Sequence, residues 1–176
     1  MNGFPTRYGS EDRKLLTQFI DVTDYTQKRF DSLELKKFSQ HEKPNLLIIG
    51  DSFAKDVVNA LYENGLDTHY DISTVQINSE CGNLFLDFDF TENIPIKNRA
   101  RCEFLDSYES PAVRDLLGKS DEIWLASSWK PWVVELLPES VNNLRDTFEK
   151  PLYVFGPKNF GTVSQKSMLN LSLIHI

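Results

Sequence analysis

A serine with the surroundings of a nucleophile follows the first aliphatic run of the chain. Gly50, Asp51 and Ser52 come directly after Leu-Leu-Ile-Ile, and an amphipathic stretch begins at Phe53. A serine between a buried strand and a helix presents its hydroxyl to a cleft, and the helix-start amides stabilise negative charge on a bound oxygen. Acyl transfer through a serine ester requires this arrangement. The alternative is that Asp51 and Ser52 only cap the helix, since both residue types are favoured N-caps.

Alternating strands and helices must position this serine. Aliphatic runs ending in polar or turn residues predict strands at 45–50, 72–77, 122–127 and 152–155. Apolar spacing and turn signals predict helices at 53–63, 110–118 and 133–148, and Gly65 is the expected C′ residue of the first. Residues 11–40 predict a helical lead-in, in two pieces. This alternation predicts an α/β fold with three layers and a parallel sheet.

The carboxyl ends of the strands are where an open parallel sheet binds its ligands. Three such ends carry polar or aromatic residues, at 50–53, 78–83 and 127–129. Residues 78–109 break the alternation and predict a long, partly irregular insertion. Long loops above a parallel sheet often build its site.

Composition and charge exclude several classes of function. The chain has 176 residues, 40% hydrophobic and 26% charged, which is typical of a globular domain. A formal net charge of -7 argues against a nucleic-acid partner. No apolar run approaches the length of a membrane span, and the first residues lack the apolar core of a secretory signal. No glycine-rich phosphate loop follows the first strand, which argues against a nucleotide-binding domain.

The two cysteines, Cys81 and Cys102, allow two interpretations. They are either separate buried thiols of an intracellular protein or a disulfide formed in an oxidising compartment. Two cysteines and three dispersed histidines offer no zinc-ligand spacing, so no metal is expected.

The segment Lys-Pro-Asn-Leu-Leu-Ile-Ile-Gly-Asp-Ser-Phe-Ala at 43–54 resembles the first sequence block of the SGNH (GDSL) hydrolase superfamily. More narrowly, the chain resembles the SGNH domain fused to membrane acyltransferases that O-acetylate cell-surface polysaccharides. That likeness includes the polar helical lead-in, the cysteine-containing insertion, and the strand at 123–129 that ends in a tryptophan. It runs from about residue 20 to about residue 160 and implies a flavodoxin-like SGNH fold. It divides the chain into a lead-in (1–42), a partial SGNH-like domain (43–170) and a tail (171–176).

The resemblance implies roles for the site residues. Ser52 matches the nucleophile, whose own backbone N–H is one oxyanion donor, and Asp51 matches the aspartate that supports the turn. Gly82 is the candidate for the second-block glycine, whose amide is another donor, and its alternative is a plain loop glycine. The third-block asparagine is missing, because the chain has Ser-Ser-Trp at 127–129, and Asn83 is a speculative substitute. Trp129 and Trp132 either line a sugar-binding cleft or serve as packing groups.

The catalytic base is the larger departure from the family. Its fifth block is Asp-x-x-His, in which histidine deprotonates the serine. The histidines here are His41 and His69, which precede the first and second strands, and His175, which has Ser172 in place of the aspartate. Residues 171–176 resemble translated read-through at the end of an assembled fragment, so we expect the native chain to continue past about Asn170 and to carry its base there.

These observations predict an SGNH-type serine esterase or O-acyltransferase that acts on acyl (acetyl) esters of carbohydrate through an acyl-Ser52 intermediate, without a cofactor. The alternative is a catalytically inactive SGNH-fold domain that binds glycan. The resemblance implies a membrane acyltransferase domain as partner and a place on the outer side of the cytoplasmic membrane, which a Cys81–Cys102 disulfide would fit. Without that fusion we expect a soluble protein.

Overall fold

The computed structural model describes residues 26–39, 43–103 and 108–156. The strands are β1 (Asn45–Gly50), β2 (Asp71–Gln76), β3 (Glu122–Ala126) and β4 (Leu152–Phe155). Helices are formed by α1 (Ser52–Glu63), α2 (Ile96–Cys102), α3 (Pro111–Lys119) and α4 (Pro131–Phe148), and residues 26–32 are also helical. Short 3-10 turns lie at Leu66–Thr68 and Thr91–Asn93.

The strands form one parallel sheet in the order β2-β1-β3-β4. β1 lies at its centre, where Leu47 is opposite Ser73 of β2 on one side and Ile123 of β3 on the other. Each of the aliphatic residues of β1 is completely buried, as expected for a strand covered on both faces. The prediction of a parallel α/β sheet is confirmed.

Helices cover both faces of the sheet. Successive side chains of β1 point to opposite faces, so Leu46 and Ile48 face one layer while Leu47 and Ile49 face the other. The first layer contains α1 and the helical segment 26–32. The second layer contains α3 and α4, which contribute buried side chains to a separate core. The fold is therefore a three-layer α/β arrangement.

The chain reverses its direction across the sheet after β2. It runs from β1 outward to β2 and then returns to place β3 on the other side of β1. The loops that leave β1 and β3 consequently diverge, and a crevice forms beyond their carboxyl ends. Ser52 follows β1 and Ser127 follows β3, so both residues lie at this reversal point.

Most predicted elements agree with the structure within one or two residues. α1 starts at Ser52, one residue before the predicted start, and Gly65 follows its C-cap with a left-handed φ of 69°. We expected Gly118 to end α3, but the helix continues to Lys119 and Ser120 is its C-cap. Gly118 therefore lies inside the helix.

The lead-in differs from the prediction. Its helix ends at residue 32, and Leu33 to Leu35 then run beside β2. The Leu35 N–H donates to the Thr74 carbonyl at 2.9 Å, and the Thr74 N–H donates to the Leu33 carbonyl at 3.0 Å. Residues 33–35 therefore pair with the edge strand β2 and do not continue the helix. Residues 36–39 are not helical either, and the remaining residues of the predicted lead-in helix (11–25 and 40), the tail 171–176, His41 and His175 lie outside the described residues.

The insertion is held to the second layer through Phe85. Its backbone N–H donates to the Ser140 hydroxyl of α4 at 2.7 Å, and its carbonyl accepts from the Asn143 side chain at 3.4 Å. The ring packs against Tyr108 and Phe148. Within the described ranges, no helix combines the length and the apolar character that a membrane crossing requires.

Candidate active site

Gly50 is required by the close approach of β3. A Cβ atom at this position would lie 1.8 Å from the carbonyl oxygen of Ala126 and 2.7 Å from its carbonyl carbon. Both are backbone atoms of a buried strand and cannot move aside. The glycine lets the loop after β1 turn directly beside the end of β3, which brings the two strand ends together.

Asp51 fixes the turn from both sides. Its Oδ1 accepts from the N–H of Phe53 at 2.8 Å, which caps α1, and its Oδ2 accepts from the N–H of Ser128 at 2.8 Å. Its own N–H donates to the Ala126 carbonyl at 3.3 Å. The buried carboxylate therefore joins the start of α1 to the loop after β3.

Ser52 is the first residue of α1 and is exposed. Among the described residues, neither its hydroxyl nor its backbone N–H has a hydrogen-bond partner. The capping bond is made by Asp51, so Ser52 is not needed as the cap. Its hydroxyl is free at the positive end of the helix dipole, where developing negative charge on an oxygen is stabilised.

Asn83 lies at the centre of a buried polar network. Its Nδ2 donates to the carbonyl of Ile49 at 3.3 Å and to the Ser127 hydroxyl at 3.0 Å, and its Oδ1 accepts from the hydroxyl of Tyr108 at 2.5 Å. Burial raises the pKa of Tyr108, so this phenol remains a donor at neutral pH. Both Nδ2 protons are used within the protein. The side chain therefore ties the insertion to the ends of β1 and β3 and has no donor left for a substrate oxyanion.

Gly82 combines a left-handed backbone with a covered face. Its φ is 80°, and a Cβ atom would lie 2.5 Å from the Trp132 ring. The residue is buried, and no described residue accepts a hydrogen bond from its N–H. Its neighbour Asn83 is bonded to the end of β1, which places Gly82 near the same edge of the sheet. An unpaired buried amide is the feature that an oxyanion donor needs.

The two tryptophans have different surroundings. The indole N–H of Trp129 donates to the carbonyl of Phe155 at 2.7 Å, and its ring packs against the core of the second layer, so it connects the ends of β3 and β4. Trp132 covers Gly82 and lies 6.3 Å from the Phe90 ring, centroid to centroid. The geometry therefore gives Trp129 a packing role and leaves Trp132 as the aromatic residue nearer the candidate oxyanion glycine.

Covalent and ionic contacts hold the insertion in place around Gly82. Cys81 and Cys102 form a disulfide, so the two cysteines are paired and are not separate thiols. Glu80 forms an ion pair with Lys130, at the start of α4, with 2.8 Å between the charged atoms. The hydrogen bond from Lys130 lowers the pKa of Glu80, so this carboxylate is ionised at neutral pH.

His69 lies at the amino ends of the strands, whereas Ser52 lies at their carboxyl ends. It follows a 3-10 turn and precedes the first residue of β2, so it is at the amino end of the strands, where its Nδ1 lies 3.3 Å from the Thr68 hydroxyl. It is the sole histidine in the described ranges, so these ranges supply no imidazole to Ser52. They also hold no cluster of three or more histidine, cysteine or acidic residues suited to a metal ion.

Sequence reasoning missed Tyr108 as part of the site, and it marked Ser127 as part of a candidate strand end without giving it a partner. Both bond to Asn83 from positions 25 and 44 residues away, and a single sequence carries no signal for such contacts. The polar residue directly after β3 was the one available indication, since strand ends gather at one edge.

No protein-family model, curated protein or solved structure matches the chain.

Proposed function

We propose that the protein performs SGNH-type serine ester chemistry at Ser52, as an esterase or O-acyltransferase on acylated carbohydrate. The observation that carries the proposal is the exposed, unpaired Ser52 hydroxyl at the start of α1, in a turn that Gly50 and Asp51 fix. Attack by its Oγ on the ester carbonyl would form an acyl-serine and release the alcohol. Water or a sugar hydroxyl would then take the acyl group.

Two unpaired amides support the same proposal. The N–H groups of Ser52 and Gly82 have no acceptor among the described residues, and both belong to the carboxyl edge of the sheet. Donors of this kind stabilise the oxyanion of a tetrahedral intermediate, and removal of one costs about 10²–10³ in kcat. We assign Asn83, whose amide protons are both used within the protein, to holding the insertion against the ends of β1 and β3.

Phosphonylation of the serine tests the proposal without requiring full turnover. Protein expressed from the complete source gene is treated with an alkyl fluorophosphonate, and the labelled peptide is identified by mass spectrometry. We expect a single adduct on Ser52 that Ser52→Ala abolishes. Ser110→Ala is the matched control, because Ser110 also stands at a helix start and makes no side-chain cap. It should leave the labelling of Ser52 unchanged.

Labelling that is equal in the wild type and in Ser52→Ala would contradict the proposal. Wild-type protein that resists the probe but binds acetylated oligosaccharide would favour the alternative, a catalytically inactive glycan-binding domain. That alternative is supported by the absence of an imidazole from the carboxyl edge of the sheet within the described ranges.

A further inference from the structure

A cavity of about 280 Å³ opens within the insertion, beside the end of β2. Its lining is mainly apolar: Leu84, Phe85, Leu86, Phe88, Phe90 and Ile94. The Cys81–Cys102 disulfide contributes both of its residues to the wall. The volume is near the lower limit of small-ligand pockets, which is about 300 Å³.

The cavity adjoins the candidate nucleophile turn through one backbone contact, and it also includes Gly82 in its lining. Ile77 lines it, and the Ile77 N–H donates to the carbonyl of Gly50 at 2.8 Å, two residues before Ser52. Gly82, with its unpaired amide, also lines it. A carbonyl oxygen held by the Gly82 amide would therefore have its substituent at the mouth of an apolar chamber.

The charges around the cavity restrict its ligand. Asp89 and Glu103 lie in the wall with Arg99, whose guanidinium donates to the carbonyls of Ile94 and Glu92, and a third carboxylate of the wall, Glu109, is paired with Arg114. The surplus of carboxylates repels an anionic ligand. A neutral apolar group therefore fits this wall better than a free fatty acid does.

We propose that this cavity receives the acyl group of a neutral ester, and that this group is an apolar chain longer than acetyl. The inference rests on the proposed function, because it assigns the cavity to the acyl side of the bond that Ser52 attacks. An acetyl methyl would leave most of the chamber without apolar contact, whereas each further buried methylene gains hydrophobic free energy.

Binding of a chain-length series tests the inference separately from catalysis. Ethyl acetate, ethyl butanoate and ethyl hexanoate are titrated into the Ser52→Ala chain, which removes the nucleophile, and affinity is measured by ligand-observed NMR. We expect affinity to rise by up to about fourfold per added methylene, as about 0.8 kcal/mol per buried methylene requires. Hexanoate anion should bind at least tenfold more weakly than ethyl hexanoate, and reduction of the disulfide should lower the affinity for the ester.

Filling the cavity provides the matched comparison. Leu86→Trp places a larger side chain in the wall and should remove the dependence of affinity on chain length. Leu66→Trp, at an exposed site outside the cavity, should keep that dependence. Phe88→Ala is a second wall variant, at a residue that is 44% exposed and therefore less important for folding. We expect it to weaken hexanoate ester binding.

The outcomes separate the two proposals. Equal affinity for all three esters, or a chain-length dependence that Leu86→Trp leaves intact, overturns the acyl cavity while labelling of Ser52 keeps the proposed function. Chain-length-dependent binding in a protein whose Ser52 resists the fluorophosphonate overturns the proposed function, and with it the assignment of the bound chain as an acyl group under attack.

Discussion

The carboxylate of Asp51 and the backbone N–H of Ser128 are joined by a hydrogen bond of 2.8 Å across the point where the sheet reverses its strand order. The other carboxylate oxygen caps α1 through the N–H of Phe53. One buried side chain thus fixes both the helix that carries Ser52 and the loop beside it. Because the two bonds use different oxygens, no neutral side chain of similar size can make both.

Asp51→Ala should lower the free energy of unfolding by about 1–3 kcal/mol, because it removes an N-cap and leaves a backbone donor unpaired. It should also slow fluorophosphonate labelling of Ser52, since the turn loses its connection to Ser128. Denaturant unfolding and labelling rates measure the two effects. Asp115→Ala, on the exposed face of α3 where Asp115 pairs with Lys119, should change stability by less than about 0.5 kcal/mol. Equal stability of the two variants would contradict the role of Asp51.

Gly50→Ala should prevent stable folding or lower the free energy of unfolding by at least about 3 kcal/mol, because the added methyl overlaps the Ala126 carbonyl. Gly118→Ala is the matched substitution. Nothing lies within 4 Å of a Cβ atom there, and the residue is inside α3, so alanine should raise stability by about 0.5–1 kcal/mol. Circular dichroism during urea unfolding compares the pair. A Gly50→Ala protein as stable as the wild type would show that β1 and β3 are less closely packed than described.

The elements around Ser52 were predictable because their sequence signals are local. Four consecutive aliphatic residues from Leu46 to Ile49 are typical of a strand covered on both faces, and a glycine beyond the apolar stripe of α1 marks the helix end. Gly50, Asp51 and Ser52 then occupy the strand-to-helix turn without further information. The turn that contains Ser52 follows from these local rules.

The contacts of the insertion and the end of the lead-in helix were not predictable, because residues that are distant in the sequence determine them. Leu33 and Leu35 have apolar spacing that suggested a helix, but Leu35 has a left-handed φ of 50° and pairs with the edge of β2. Asn83 obtains its role from a phenol and a hydroxyl that are distant in sequence. A polar loop residue of this kind carries no periodic signal, so its burial is visible only in three dimensions.

Ser73→Ala should leave stability unchanged or raise it by up to about 1 kcal/mol, because the completely buried Ser73 hydroxyl has no hydrogen-bond partner. Ser140→Ala removes a hydroxyl that is equally buried but does have a hydrogen-bond partner. The Ser140 hydroxyl accepts from the N–H of Phe85, and its loss should lower stability by about 1–3 kcal/mol. Thermal and denaturant unfolding of both variants provide the comparison. A larger loss for Ser73→Ala than for Ser140→Ala would contradict this assignment.

Asp71 should make stability depend on pH in the acid range. Desolvation acts to raise its pKa, but hydrogen bonds from Lys36 and Ser39 outweigh it and hold the pKa of Asp71 below its usual range. A carboxyl with a lowered folded-state pKa stabilises the fold above the unfolded-state value, and this contribution is lost as pH falls through the folded-state pKa. The loss should therefore occur below about pH 4.

Asp71→Asn should be less stable than the wild type at neutral pH, and the difference should shrink as pH falls from about 5 to about 2. Ser39→Ala removes one of the bonds to the carboxylate and should give an intermediate slope. Denaturant unfolding at each pH measures these differences. Because the Lys36–Asp71 pair joins the lead-in to the first residue of β2, the acid loss should coincide with faster amide exchange at Leu35, which is bonded to the same strand. A difference between wild type and Asp71→Asn that stays constant with pH would contradict the lowered pKa.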